Sequence, residues 1–315
     1  MIDISNLTKH FGPKVAVDNL SLSVQKGQVL GFLGPNGAGK STTMRMITGY
    51  LPPTGGSISI GGVDMLDDPN AAKAKIGYLP ESAPLYQDMT VEGFLSFAAE
   101  LRGLDGQARK DAVNKAIATC FLDSVRGQAI DTLSKGYRHR TCLAQAIIHD
   151  PEVLILDEPT DGLDPNQKDV VRNLIREMGK TKAIIFSTHI LEEVEACCTR
   201  AVIIDRGKVV ADGTPDELKR RAAKAGSVAV KFTKAPANLR QDLERLNHGA
   251  RLESVETSGD TLTATIFPKS KTDASKLSAE IYELARSRNL SLVELHEEPG
   301  RLDDMFRELT RQNQA

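Results

Sequence analysis

The chain has 315 residues, 40% of them hydrophobic, with 40 Lys plus Arg against 42 Asp plus Glu and a formal net charge of -2. That length allows more than one domain and a sizeable core. The near-balance of charge argues against a partner held by bulk electrostatics, so no nucleic acid is expected, and no apolar run reaches the roughly 18 residues of a membrane span. MIDISNLTKH lacks the charged-then-apolar layout of a secretion signal, which leads to an expected cytoplasmic place without direct membrane insertion. Cys120, Cys142, Cys197 and Cys198 form no C-x-x-C pair and are expected to be reduced, packing thiols.

VAVDNLSLSV and SISIGGVDM alternate apolar and polar residues around turns at Gly27 and Gly61-Gly62, the pattern of short antiparallel strands. QVLGFLG is instead a continuous apolar run, a buried strand leading into a glycine-rich turn and then the helix KSTTMRMIT, closed by Gly49. From Thr90 to about His149 the periodicity is helical. Strands return with VLILD, AIIFST and AVIIDRG. Between the first two of these, Asp164 and Pro165 open a helix with Val170, Val171, Leu174, Ile175 and Met178 at core-facing spacing. This order predicts an α/β domain with parallel strands and a helical insertion over about 89–150.

A boundary is expected near Ala223, after the basic, turn-like KRRAAKAGS, giving domains 1–222 and 223–315. The second reads strand SVAVKF, helix NLRQDLERL, strands RLESVETSG and TLTATIF, helix DASKLSAEIYELARSRN and strand LSLVELH, with a last helix in RLDDMFRELTRQ. The β-α-β-β-α-β order suits an α+β ferredoxin-like sandwich. It offers no cluster of catalytic or metal-ligating residues.

GPNGAGKST, comprising Gly34, Pro35, Asn36, Gly37, Ala38, Gly39, Lys40, Ser41 and Thr42, fits G-x-x-x-x-G-K-[ST] between a strand and a helix. Its backbone N–H groups can wrap a pyrophosphate at a helix N-terminus. Lys40 is placed to reach the β- and γ-phosphates, and Ser41 to hold Mg²⁺. In VLILDEPT, Asp157 ends an apolar strand where it can hold Mg²⁺ through water, and Glu158 can accept a proton from an attacking water. Together these motifs predict a nucleoside triphosphatase using Mg²⁺.

LSKGYRHR, Leu133 to Arg140, opens a basic helix with a Ser and a Gly, which by itself reads as a helix capped by Ser134. Lying between the two motifs above, it resembles the signature of ATP-binding-cassette ATPases. The resemblance covers residues 1 to about 220. It implies a RecA-like core with an antiparallel β subdomain and a helical subdomain, working as a head-to-tail homodimer. Ser134 and Gly136 of one copy would then touch ATP held by the P-loop of the other. It further implies that His189 in STHI contacts the γ-phosphate and attacking water, and that Phe11 stacks on adenine, the alternative for Phe11 being a place in the core. Asp164, in TDGLD, fits both a contact with the opposite domain and a helix cap.

Three positions depart from that family's pattern. Glu81 stands where a glutamine usually senses Mg²⁺ and the membrane partner, and its carboxylate can still bind Mg²⁺, while Lys135 and Tyr137 replace the commoner Gly and Gln of the signature. YLPE, LSKGYR and LDDMFRELT resemble ABC-2-type bacterial exporters of the gliding-motility and multidrug branches. The resemblance implies an ATPase subunit of an export transporter, peripheral on the inner face of the membrane through an integral membrane permease. The competing reading is a soluble cassette ATPase acting on nucleic acid, ribosomes or cofactor assembly.

Overall fold

A computed structural model describes the chain apart from Ala83, Ala237, residues 271–272 and 312–315 and the side chains of Ser254 and Arg311. The chain forms two compact units, Met1–Pro215 and Asp216–Ala315. The division precedes Ala223 because the helix Pro215–Arg221 packs with the second unit. A Cβ on Gly300 would meet the Lys219 carbonyl at 2.3 Å.

In chain order the first unit runs β1 (Ile2–Phe11), β2 (Lys14–Val24), β3 (Val29–Leu33), α1 (Lys40–Ile47), β4 (Gly55–Ile60), β5 (Val63–Asp64), α2 (Pro69–Ala74) and β6 (Ile76–Leu79). It continues with α3 (Val91–Leu101), α4 (Gly106–Thr119), α5 (Lys135–Ile147), β7 (Val153–Asp157), α6 (Pro165–Gly179), β8 (Ala183–Thr188), α7 (Leu191–Cys197), β9 (Arg200–Asp205) and β10 (Lys208–Gly213).

The central sheet has the order β10-β9-β3-β8-β7-β6, parallel except for the β9–β10 pair. It is buried on both faces. Leu154, Leu156, Ile184 and Phe186 point into one core with the helices α3 to α6, while Val153, Ile155, Ala183 and Ile185 point into a second core. That second core is shared with α1 and the sheet β2-β1-β4-β5. Burial on both faces is why these strands read as continuous apolar runs rather than alternating ones. Strand β8 lies between β3 and β7, which brings the carboxyl ends of all three strands side by side.

Several elements of this unit, among them β1, α2 and β10, are absent from the sequence reading. β1 is a middle strand of its sheet, yet its register shifts between Ile4 and Leu7, where Asn6 has a left-handed φ of 50°. Such a bulge breaks the alternation that reveals a strand. Gly49 follows α1 with φ 66° and donates its N–H to Met46 O, as expected of a C-terminal closing glycine.

The second unit comprises α8 (Pro215–Arg221), β11 (Val228–Thr233), α9 (Leu239–Glu244), β12 (Gly249–Ser258), β13 (Thr261–Pro268), α10 (Ala274–Ser287), β14 (Ser291–Glu297) and α11 (Leu302–Arg311). The expected last helix extends one residue further, to Gln312, which lies outside the described residues. The sheet order β12-β13-β11-β14 is antiparallel throughout, the arrangement of a ferredoxin-like sandwich. Val228, Val230, Phe232, Leu277 and Ile281 form its core with the helices.

Candidate active site

The loop from β3 to α1 is built by close approach. A Cβ on Gly34 would lie 2.5 Å from Ile204 O, and one on Gly39 would lie 2.5 Å from Ala16 O, where Gly39 also has φ 110°. Only glycine fits either place. Helices α3, α5 and α6 are capped by the side chains of Thr90, Ser134 and Asp164, whereas α1 has no side-chain cap and no acid in its first turn. Its first N–H groups and the positive end of its dipole are left for an anion.

Lys40 extends back over this loop, 7% exposed, donating to Gly34 O at 2.7 Å and Pro35 O at 3.4 Å. Its Nζ lies 3.9 Å from Glu158 Oε1. Burial pulls the Lys40 pKa down, and the charges of Glu158, Asp157 and Glu81 oppose that shift. Bound phosphates would act in the same direction as those carboxylates.

Asp157 closes β7 fully buried and accepts a hydrogen bond from Ser187 Oγ at 2.5 Å and from Ser41 Oγ at 3.5 Å. Glu158 then takes a left-handed φ of 50°. A non-glycine residue there costs about 1–3 kcal/mol. The turn is held by the Glu158 N–H, which donates to Ser187 O at 3.2 Å and Ser187 Oγ at 3.1 Å. It directs the Glu158 carboxylate toward the end of β8, where His189 Nδ1 sits 3.0 Å from Glu158 Oε2. Burial raises the Glu158 pKa above the usual carboxylate value; His189 and Lys40 work against that rise.

These groups surround one cavity of about 420 Å³, lined by Phe11, Lys14, Asn36, Gly37, Gly39, Lys40, Ser41, Thr42, Glu81, Glu158, Asp161 and His189, with Ala16. Phe11 is 48% exposed at its rim, which rules out the core alternative for that ring. Pro35 and Ala38 shape the loop rather than the lining, through an Ala38 N–H to Pro35 O bond of 3.1 Å. Ser134, Gly136 and Asp164 are not in the lining. Ser134 caps α5 through Tyr137 N at 3.4 Å, and Asp164 caps α6 through Gln167 N at 2.9 Å. Gly136 is packed so closely on Gln167 that a Cβ would lie 1.9 Å from Gln167 Oε1.

Sequence reasoning missed Ser187, which joins Asp157 to Glu158, and Lys14 and Asp161 in the lining. Ser187 had a signal: a hydroxyl at the end of a strand beside His189. Lys14 and Asp161 lie three residues beyond Phe11 and Glu158, so their motifs marked the neighbourhood without singling them out.

Among the described residues no group of three or more His, Cys, Asp or Glu side chains could cage a metal. Mg²⁺ needs no such cage, because it keeps waters and takes one or two protein oxygens plus phosphate oxygens. The Ser41 hydroxyl and Asp157 carboxylate, 3.5 Å apart at the head of α1, are a donor set of that kind.

Residues 17–161 match the family described as ABC transporter. The chain is 33% identical over 310 residues to the Nod factor export ATP-binding protein I of Burkholderia lata, covering 98% of this chain and 96% of that protein. It belongs to the ABC transporter ATP-binding proteins. A second relative, named "Probable multidrug ABC transporter ATP-binding protein YbhF" from Escherichia coli K12, is 37% identical over 224 residues. That match covers 71% of this chain, which spans only 39% of YbhF. The solved "Structure of ATP binding subunit of ABC transporter" superposes with a TM-score of 0.65 at 30% identity, covering 70% of this chain and 92% of that one. Membership in the ABC family accounts for the α/β cassette of the first unit. Among the described residues no helix is long and apolar enough to cross a membrane.

Proposed function

We propose that this chain is the ATP-hydrolysing subunit of an export transporter, acting as a pair of copies on a separate integral membrane permease at the inner face of the cell membrane. The observation that carries this reading is the uncapped N-terminus of α1, with Lys40 facing the Glu158–His189 pair across one cavity. Similarity to an export ATP-binding protein through both units supports the transport role over the soluble alternative.

In this reading Phe11 stacks on adenine, the N–H groups of residues 36–42 hold the phosphates and Lys40 neutralises them. Glu158 accepts the proton of the attacking water, and His189 orients that water and the γ-phosphate. Mg²⁺, held by Ser41 and by Asp157, with Glu81 nearby, would supply charge neutralisation on the phosphates. Ser134 and Gly136 stand outside the cavity of their own chain, and Ser134 is exposed. They complete the site of a second copy, where the N-terminus of α5 neutralises the face of the triphosphate that α1 leaves open. Asp164 contacts that copy while capping α6.

If the closed pair binds each ATP about 100-fold better than the open one, two ATPs supply about 5.5 kcal/mol, enough to turn a 1:99 equilibrium into 99:1. Hydrolysis removes the bridging phosphate and reopens the pair. Affinity purification from detergent-solubilised membranes tests the transport role. An integral membrane protein should co-purify and change the ATPase rate. Salt-sensitive binding to RNA or DNA with no membrane partner would favour the soluble reading instead.

A further inference from the structure

Glu193, in the first turn of α7, is 1% exposed and has no part in the hydrolysis scheme above. Its two oxygens serve different partners. Oε1 accepts the hydroxyl hydrogen bond of Thr160, and Oε2 accepts that of Thr188 at 2.8 Å. Both threonines are buried, so neither hydroxyl has water as an alternative partner. Lys168 Nζ and Arg172 Nη2, one turn apart on α6, approach Oε1 at 3.8 and 3.7 Å. One buried carboxylate therefore ties together the turn after β7, the end of β8 and α6.

Thr160 lies two residues after Glu158, and Thr188 immediately precedes His189. The turn and the strand end that Glu193 joins are thus the ones presenting the two groups 3.0 Å apart in the cavity. Ser187 fixes the β7 side of the turn at Asp157 and Glu158. From Pro159 onward the segment carries local bonds, Asp161 N–H to Glu158 O at 3.1 Å and Leu163 N–H to Thr160 O at 3.2 Å, and Glu193 ties it through Thr160 to the end of β8 and to α7. We infer that Glu193 is a positioning residue: its bonds to Thr160 and Thr188 set the spacing of Glu158 and His189, and so the alignment of the base with water. The inference rests on the role of Glu158 proposed above.

The test compares Glu193→Gln with the unaltered full-length chain. Turnover of MgATP should fall about 10- to 100-fold, the cost of misplacing a reacting group by about an ångström, while ATP affinity stays within about threefold. In a Glu158→Gln background the same change should lower the residual rate by less than about twofold, because two residues acting through one step are not additive. An independent additive loss in both backgrounds, or unchanged turnover, would overturn the inference. A second readout needs no turnover. The ring resonances of His189 in Glu193→Gln should move toward those in Glu158→Gln, and unmoved resonances would overturn it as well. Absence of ATPase activity in the unaltered chain would instead sink the proposed function while leaving the resonance test intact. Should Glu193→Gln fail to fold, Thr160→Val and Thr188→Val, each deleting one hydroxyl, are held to the same outcomes.

Discussion

His189 Nδ1 lies 3.0 Å from Glu158 Oε2, and the other oxygen of that carboxylate is 3.9 Å from Lys40 Nζ. A single carboxylate thus stands between the lysine of the glycine-rich loop and the ring at the tip of the next strand. Burial raises the pKa of a base in this place, and His189 and Lys40 limit that rise.

Glu158→Gln preserves size and most contacts but cannot take a proton. ATP binding should remain within a few-fold of normal while turnover falls by about 10²- to 10⁴-fold, the usual worth of a general base. Near-normal turnover would remove Glu158 from the role.

The pH dependence has a definite sign. Glu158 must be ionised to act, and burial holds its pKa above the ordinary 4.5, so turnover should rise with pH through a value higher than that. His189→Gln removes the strongest influence lowering that pKa. The acid limb of the residual activity should then shift to higher pH, measurable from kcat over a pH series. A limb that stays put would show that the two groups are not in contact during turnover.

Ser134 caps α5 in its own chain, and the cap must be separated from any contact with a second copy. Aspartate caps as well as serine does, so Ser134→Asp should leave the Tm within a few degrees of normal. Its added negative charge would oppose a triphosphate held by another copy, and turnover should fall at least 10-fold. Equal turnover in that variant would confine Ser134 to capping.

Gly39→Ala should be costly for two separate reasons, the Ala16 carbonyl at 2.5 Å and the left-handed φ. A loss of about 1–3 kcal/mol in stability from backbone strain is expected, together with loss of ATP binding as the loop opens. Both are accessible by thermal melts with and without MgATP. Melting unchanged and still raised by nucleotide would contradict the geometry of the loop.

A stability effect is expected from His149, far from any proposed chemistry. Burial, then the nearby Arg102, push its pKa from 6.5 to about 4. Its Nε2 lies 3.1 Å from Ile76 O, and its Nδ1 is buried without a hydrogen-bond partner. The unfolded chain therefore binds a proton that the folded chain resists. Its contribution is present above pH 6.5 and is lost as pH falls toward 4. Across that window the Tm of His149→Gln should fall less steeply with acid than that of the unaltered chain. Parallel curves would show that the ring is solvated.

Much of the cassette was legible in the sequence because its strands and motifs follow local rules. The run VLILD announces a strand buried on both faces, and GPNGAGKST carries glycines at the places where a Cβ would strike Ile204 or Ala16. What stayed hidden depends on partners distant in sequence. β1 is masked by its own bulge, and Ser187 matters only because β8 lies beside β7. Glu193 left a trace, an acid four residues before Cys197 on the buried face of α7, but its partners come from three other segments. Ser134 and Asp164 are the converse: LSKG and TDGLD were legible as helix caps, and both caps form within the one chain.

The most direct measurement of the two-copy site is ATP turnover per chain over a dilution series, with sedimentation of the same samples. Turnover per chain should fall in proportion to the dimer present. A chain that sediments as a monomer and still hydrolyses ATP at an undiminished rate would contradict the account.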